Sequence, residues 1–226
     1  MDSERDRNRN SLTGIYDHRF SEVDREKKAR VWQVVVEDYF QRFVTPHDTV
    51  LDIGCGFGEF LNHLRCKRRI GIDANPDGAR YVAPGVEFRQ GDVRDLGFIG
   101  DGEVDVVFTS NLLEHLETKR EVDRLVDEAR RVLRKGGQLI LLGPNARIVG
   151  GAYWDFWDHH LPITDRALLE LMASHGFDTV EHHARFLPYT TRSRIPQAPF
   201  LVRWYLRVPL AWRLLGGQFL VRAVKP

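Results

Sequence analysis

The chain has 226 residues, 42% of them hydrophobic and 29% charged, which suits one soluble domain and excludes both wholesale disorder and a multispanning membrane protein. Cys55 and Cys66 make neither a disulfide framework nor a C-x-x-C ligand pair, so a reducing compartment and no structural zinc are expected. The net charge of +1 hides a division. From Arg185 onward there are eight basic residues and no acid, which leaves 25 basic against 32 acidic residues in 1–184, a net −7.

The polar start MDSERDRNRNS has no apolar run and reads as neither signal nor anchor, so a cytoplasmic protein is expected. Residues 1–14 are expected to form a flexible leader. Within 15–47, the spacing of Val31, Val34, Val35, Tyr39 and Phe43 predicts a helix, with Ser21 available as its cap. From residue 48, short apolar strands alternate with helices: TVLDI, a helix over FLNHLR, RIGID, a short helix after Asn75-Pro76, VEF, and VDVVFTS. A long amphipathic helix over 118–133 follows, stopping at Gly136-Gly137, and then the strand QLILLG. This alternation implies a parallel sheet covered on both faces. Over 147–187 come an aromatic loop, GGAYWDFWDHHLPIT, a helix over 165–175 and the strand-like FDTVEHHARFL. Residues 217–226 alternate as one more strand, which leaves 188–216 as an insertion before it.

The stretch VLDIGCGFGEF places Gly54, Gly56 and Gly58 at alternate positions. Glycine costs roughly 0.5–1 kcal/mol in a regular element, so three together point to a ligand approaching bare main chain, and a helix N-terminus after them would add its dipole. The dinucleotide fingerprint G-x-G-x-x-G fails here because Glu59 stands at the third position. The pattern D-x-G-x-G-x-G resembles motif I of the class I S-adenosylmethionine-dependent methyltransferases. Asp73, 19 residues past Gly54, the segment Gly91-Asp92-Val93, VDVVFTSNLLEHL and RVLRKGGQLILLGPN match that family in order, over about 100 residues.

The resemblance implies a Rossmann-like, doubly wound α/β fold: a mostly parallel seven-stranded sheet with an antiparallel last strand, an N-terminal helix, and a helical insertion before the last strand. The domain would run over 15–226, with 48–146 as its cofactor-binding core. The resemblance also implies S-adenosyl-L-methionine as cofactor, with Asp52 near the methionine amino group and Asp73 on the ribose hydroxyls. Asp92 would face the adenine amine and Val93 its ring, with Gly54, Cys55, Gly56, Gly58, Ala74 and Asn111 around them. Cys55 reads from its surroundings as a small loop filler. Tyr16 and Arg19 either pack the leader or close over the cofactor carboxylate. Replacing Asp73 by alanine is expected to weaken cofactor binding and leave the fold intact.

Methyl transfer from a sulfonium is mostly a matter of alignment, but an aliphatic hydroxyl also needs a base. His115, His159 and His160 lie after the fourth and fifth strands, at the rim where such sheets bind ligands; His160 is the first choice, against the alternative that Trp154, Phe156 and Trp157 merely pack the loop. Asn111, Glu114 and His115 resemble the E-x-x-E-H run of certain metal-assisted O-methyltransferases, in which ligands to a cation position the acceptor. Asparagine in place of the first glutamate weakens a hard-cation site, and no metal is expected.

The insertion mixes arginines with Phe200, Trp204, Tyr205 and Trp212. It is too interrupted to span a bilayer but could lie on one, bind a lipid-linked or pyrophosphate-bearing acceptor, or act as a lid with its aromatics buried. No motif accompanies the charge to suggest nucleic acid. The expected function is methyl transfer, at oxygen, to a small-molecule, sugar-like or lipid-linked acceptor, with peripheral contact of 188–216 with the inner membrane surface. The alternative is a methyltransferase-like domain acting as a non-enzymatic partner; a dehydrogenase is a poorer third.

Overall fold

Thr49–Ile53 (β1) is buried at every position after its first, as a strand covered on both faces must be. The computed structural model describes residues 22–189 and 198–226, the side chains of 22–24 excepted; the leader, Tyr16, Arg19 and Ser21 lie outside them. Around β1 gather Arg68–Asp73 (β2), Val86–Gln90 (β3), Val104–Ser110 (β4), Leu133–Pro144 (β5), Asp178–His183 (β6) and Gln218–Val224 (β7), in the order β3-β2-β1-β4-β5-β7-β6. Strands β1 to β5 are parallel, and β7 runs antiparallel to both β5 and β6. The order reverses between β1 and β4, which opens a crevice at the carboxyl ends of the strands. Because β7 is inverted between them, β6 points the same way as β5, and its end reaches the same rim.

Side-chain alternation divides the core into two layers. Leu51, Ile53, Ile70, Ile72, Val107, Leu139 and Leu141 face the helices Lys119–Val132 (α2) and Asp165–Ser174 (α4). Val50, Val106, Phe108, Ile140 and Leu142 face Glu22–Asp38 (α1) and the insertion. Helix α2 is fixed at its start by a reciprocal capping box between Thr118 and Glu121, and it buries Val122, Leu125, Val126, Ala129 and Val132 along one stripe.

Two expectations are corrected. The stretch FLNHLR forms only a single 3-10 turn, Leu61–His63. Asn62 sends its side chain to the Phe57 and Tyr81 carbonyls (3.3 and 3.0 Å) and accepts from the Ala83 N–H, so tertiary bonds override local helix preference. The glycine loop therefore leads into no α-helix and offers no helix dipole. Strand β5 also begins earlier than the stretch QLILLG, at Leu133, directly after helix α2 closes at Val132 within its expected bounds. Lys225 Nζ donates to the Arg130 and Leu133 carbonyls (2.7 and 2.6 Å), taking main-chain acceptors left open at the helix end.

Between β6 and β7 the insertion folds into two short helices, Pro199–Arg207 (α5) and Pro209–Leu215 (α6). They bury Tyr205, Leu206, Ala211 and Trp212 against the α1 face; the Trp212 ring stands 5.0 Å edge-on to Phe186, which packs 4.4 Å from Tyr39. Below them Glu181 accepts from Tyr39 (2.8 Å), Arg42 (2.9 Å) and Arg222 (3.1 Å), and meets His183 at 3.1 Å. Burial pushes its carboxyl up, but the bonds from His183, Tyr39 and Arg222 and the Arg42 charge outweigh that and hold it at about 2. A depressed folded-state value stabilises above the unfolded value, 4.5, and that stability is lost as pH falls toward 2. Replacing Glu181 with glutamine should cost about 1–2 kcal/mol at neutral pH after allowance for solvent screening. Urea titrations should show that difference vanish at the acid end; an undiminished gap would contradict it.

Candidate active site

At the end of β1 the chain passes through three left-handed glycines, Gly54 (φ 75°), Gly56 (φ 53°) and Gly58 (φ 78°), which is what lets the main chain stay bare there. The Gly54 and Cys55 N–H groups both donate to the Ile72 carbonyl (2.8 and 3.2 Å), tying the loop to β2. Asp73, buried at the end of β2, accepts from the Gly56 N–H (2.7 Å) and the Asn75 N–H (2.8 Å). Burial raises its pKa more than those bonds lower it. Asp52 is buried beside it, and burial, then the charges of Glu59 and Asp73, push its carboxyl well above the usual range. Among the described residues no donor reaches Asp52. Glu59 pairs with Lys28 of α1 at 2.6 Å. The loop thus gathers three acids, Asp52, Asp73 and the Lys28-paired Glu59, beside the half-buried glycines at 54 and 56, an arrangement that suits a cationic, hydroxyl-bearing ligand.

The remaining residues expected around it are spread along the rim. Cys55 packs against Gly71, where an added Cβ would meet its sulfur at 2.7 Å; burial pushes its thiol far up, so it is a filler and no nucleophile. Ala74 is exposed. Asp92 is held by Arg94 through both oxygens (2.7 and 2.9 Å), and that pairing lowers its pKa; Val93 is buried in the core. Asn111 adopts φ 50°, donates its N–H to the Leu142 carbonyl (2.9 Å), and turns its amide to Ser110 (3.1 Å). Leu112 lies close over Gly54, 3.0 Å from where a Cβ would stand.

Beyond β4, the turn Leu113–His115 carries a second cluster. The Glu114 carbonyl accepts from the His160 N–H (2.8 Å) and the Leu161 N–H (3.3 Å), drawing the aromatic loop onto the turn. The Glu114 side chain is buried, and burial raises it to about 7 against the opposing His115 charge. His115 Nδ1 lies 2.9 Å from the Asp158 carbonyl and 3.3 Å from its carboxylate. A carbonyl only accepts, so Nδ1 carries the proton and Nε2 keeps its lone pair. Burial lowers the His115 pKa, but the Asp158 bond and the Glu114 and Asp158 charges outweigh it and the net shift is upward.

His159 is the loop histidine that joins this cluster. It is buried, stacks on Phe156 at 5.0 Å, and stands edge-on to His115 (4.9 Å) and Tyr153 (4.8 Å). Tyr153, fully buried, donates to the Leu161 carbonyl and accepts from the Ile163 N–H. Glu114, His115 and His159 each bring one donor atom within 4.8 Å of the others, a spacing that one cation could bridge. His160, the first choice from sequence, is exposed and stands outside this group. The loop packs through Tyr153 and Phe156, whereas Trp154 (55% exposed) and Trp157 (92%) are open to solvent. Asp158 and Tyr153 had no sequence signal: Asp158 meets His115 from 43 positions away.

A family profile described as a methyltransferase domain matches residues 51–141. A protein of Encephalitozoon cuniculi that bears the name of a methyltransferase is 32% identical over 193 residues, 73% of this chain and 88% of that one. Among solved structures, an S-adenosylmethionine-dependent methyltransferase from Archaeoglobus fulgidus superposes with a TM-score of 0.59 at 19% identity, over 85% of this chain and 92% of that one. The geranyl diphosphate C-methyltransferase of Streptomyces coelicolor, solved with Mg2+, geranyl diphosphate and S-adenosyl-L-homocysteine, superposes at 0.60 with 17% identity, over 86% and 77% of the two chains.

Proposed function

This chain belongs to the class I S-adenosylmethionine-dependent methyltransferases, and on that premise we propose that it methylates a hydroxyl of a small, sugar-like or lipid-linked acceptor, with His115 removing the proton. The carrying observation is the His115–Asp158 pair. An amine acceptor needs only positioning, while an aliphatic hydroxyl needs an oriented base, and Asp158 fixes the imidazole with Nε2 available. The acidic glycine loop fits the cofactor, since Asp52 is a buried carboxyl that lacks a described donor and suits an ammonium group. Asp73 retains lone pairs for ribose hydroxyls, Gly54 and Gly56 lie half-buried beside them without side chains, and Asp92 with Val93 takes the adenine. Ala74 and Asn111 complete the rim. When bound, the cofactor supplies a methyl on a sulfonium whose leaving group is neutral. Glu114 and Tyr153 hold the loop over the acceptor side, and His159 walls it.

The outer face of the insertion supports a peripheral place at the cytoplasmic membrane surface. Phe200, Trp204, Leu210, Leu214 and Leu215 are exposed, the first four at spacings that put them on the outward faces of α5 and α6, interleaved with exposed Arg207 and Arg213. Such faces suit an anionic lipid surface, and no helix among the described residues is long and apolar enough to cross a membrane. Co-sedimentation with phosphatidylglycerol vesicles is expected, with Leu214→Glu reducing it about tenfold; equal binding by that variant would remove the proposal.

The function is tested by incubating the protein with radiomethyl cofactor and a fractionated cell extract. The label should enter organic-extractable small molecules and survive mild alkali, as an ether does. Label confined to precipitated protein or RNA, or lost as methanol, would overturn it.

A further inference from the structure

A cleft of about 580 Å³ opens beyond the methyl-transfer crevice, lined by Arg147, Ile148, His182, His183, Ala184, Arg185, Pro209, Trp212 and Arg213. Its walls come from the short helix Ala146–Val149 (α3) just after β5, from the carboxyl end of β6, and from α6. It therefore lies on the same rim as the glycine loop. Three arginines and two histidines face it, and none of the lining residues is acidic.

The positive charges are only partly answered. Arg147 grips Asp165 with bonds of 2.9 and 3.1 Å, and His182 Nε2 meets the same carboxylate at 3.0 Å. Asp165 also accepts from Asn145 (2.8 Å) and from Arg147 Nε (3.2 Å), so it neutralises Arg147 while leaving the Nη1 group of that guanidinium and the other two arginines open. Arg185 gives one N–H to the Gly216 carbonyl (2.9 Å) and keeps the rest of its guanidinium. Arg213 is exposed, and no described residue pairs with it. The floor is rigid and apolar: Trp212 is buried, its indole N–H already given to the Tyr205 carbonyl (2.8 Å), with the His183 ring edge-on at 5.2 Å.

From this we infer a second binding site, for a phosphate or diphosphate group, in which the free N–H groups of Arg147, Arg185 and Arg213 converge on the anion. Guanidinium forks match phosphate oxygens two at a time, and the volume lies in the range of ligand sites, with space for a diphosphate and part of what it esterifies. The site stands on the cleft alone and not on the methyl-transfer reading.

The test is calorimetric titration of the full chain with sodium pyrophosphate at low salt. Saturable binding is expected, weakened at least ~10-fold in Arg213→Glu, with unchanged affinity for S-adenosylhomocysteine showing that the variant is folded. Failure of the wild-type chain to saturate below ~10 mM pyrophosphate, or equal affinity in the variant, would overturn the site. Vesicles of phosphatidylcholine containing phosphatidic acid identify the source: if they displace pyrophosphate the group is a lipid headgroup, and if they do not it is a soluble phosphate ester. Loss of cofactor binding alone would touch the methyltransferase assignment and leave this one standing.

Discussion

Replacing Asp73 with alanine should raise the dissociation constant for S-adenosylhomocysteine by about 100-fold or more, since hydrogen bonds to a charged acceptor are worth roughly 1.5–3 kcal/mol each and the ribose would lose two. The same change should also lower stability by about 2–4 kcal/mol, contrary to the expectation of an intact fold. Asp73 accepts from the Gly56 and Asn75 N–H groups, and alanine leaves both without an acceptor in a buried place. Asp73→Asn separates the two losses, because its amide oxygen keeps one of these bonds. Calorimetry and thermal unfolding read the two quantities independently. Unaltered affinity in both variants would remove Asp73 from the cofactor site.

Replacing His115 with glutamine should lower kcat by roughly 10²–10⁴-fold, the usual contribution of a positioned base, with little change in cofactor affinity. The reactive form is the neutral imidazole, so the rate should rise with pH and level off above a midpoint higher than 6.5, because the His115 pKa is raised. Asp158→Asn removes the charge and weakens the bond that raise it while leaving the burial that lowers it, so the midpoint should move down. A pH profile that is flat across this range, or a His115→Gln enzyme of normal kcat, would exclude the role.

Much of this architecture was legible because local signals and tertiary demands agree. Continuous apolar strands, glycines at 54, 56 and 58 and the carboxylate at the end of β2 each make sense only in a sheet with a ligand at its rim. Where several tertiary bonds act on one side chain, legibility fails: Asn62 unwinds the stretch after the glycines, which its composition alone would leave helical. The choice between His159 and His160 was equally hidden. Adjacent residues in a loop have no periodicity, and the outcome is set by Phe156 and Tyr153 packing on one ring and by the Glu114 carbonyl holding the neighbouring N–H. In the insertion, the sequence mixes arginines and aromatics evenly, and only packing against α1 and the Tyr39–Phe186 cluster decides that Tyr205 and Trp212 go in while Phe200 and Trp204 stay out.

The position of β7 has a temporal consequence. It follows β6 in the chain yet lies between β5 and β6, so during synthesis β6 emerges before the one strand to which it bonds. Until β7 arrives, one margin of β5 presents an unpaired ladder, and the nascent protein is exposed to mispairing for the time taken to translate the whole insertion. Slowing that interval should hurt yield more than slowing any earlier one.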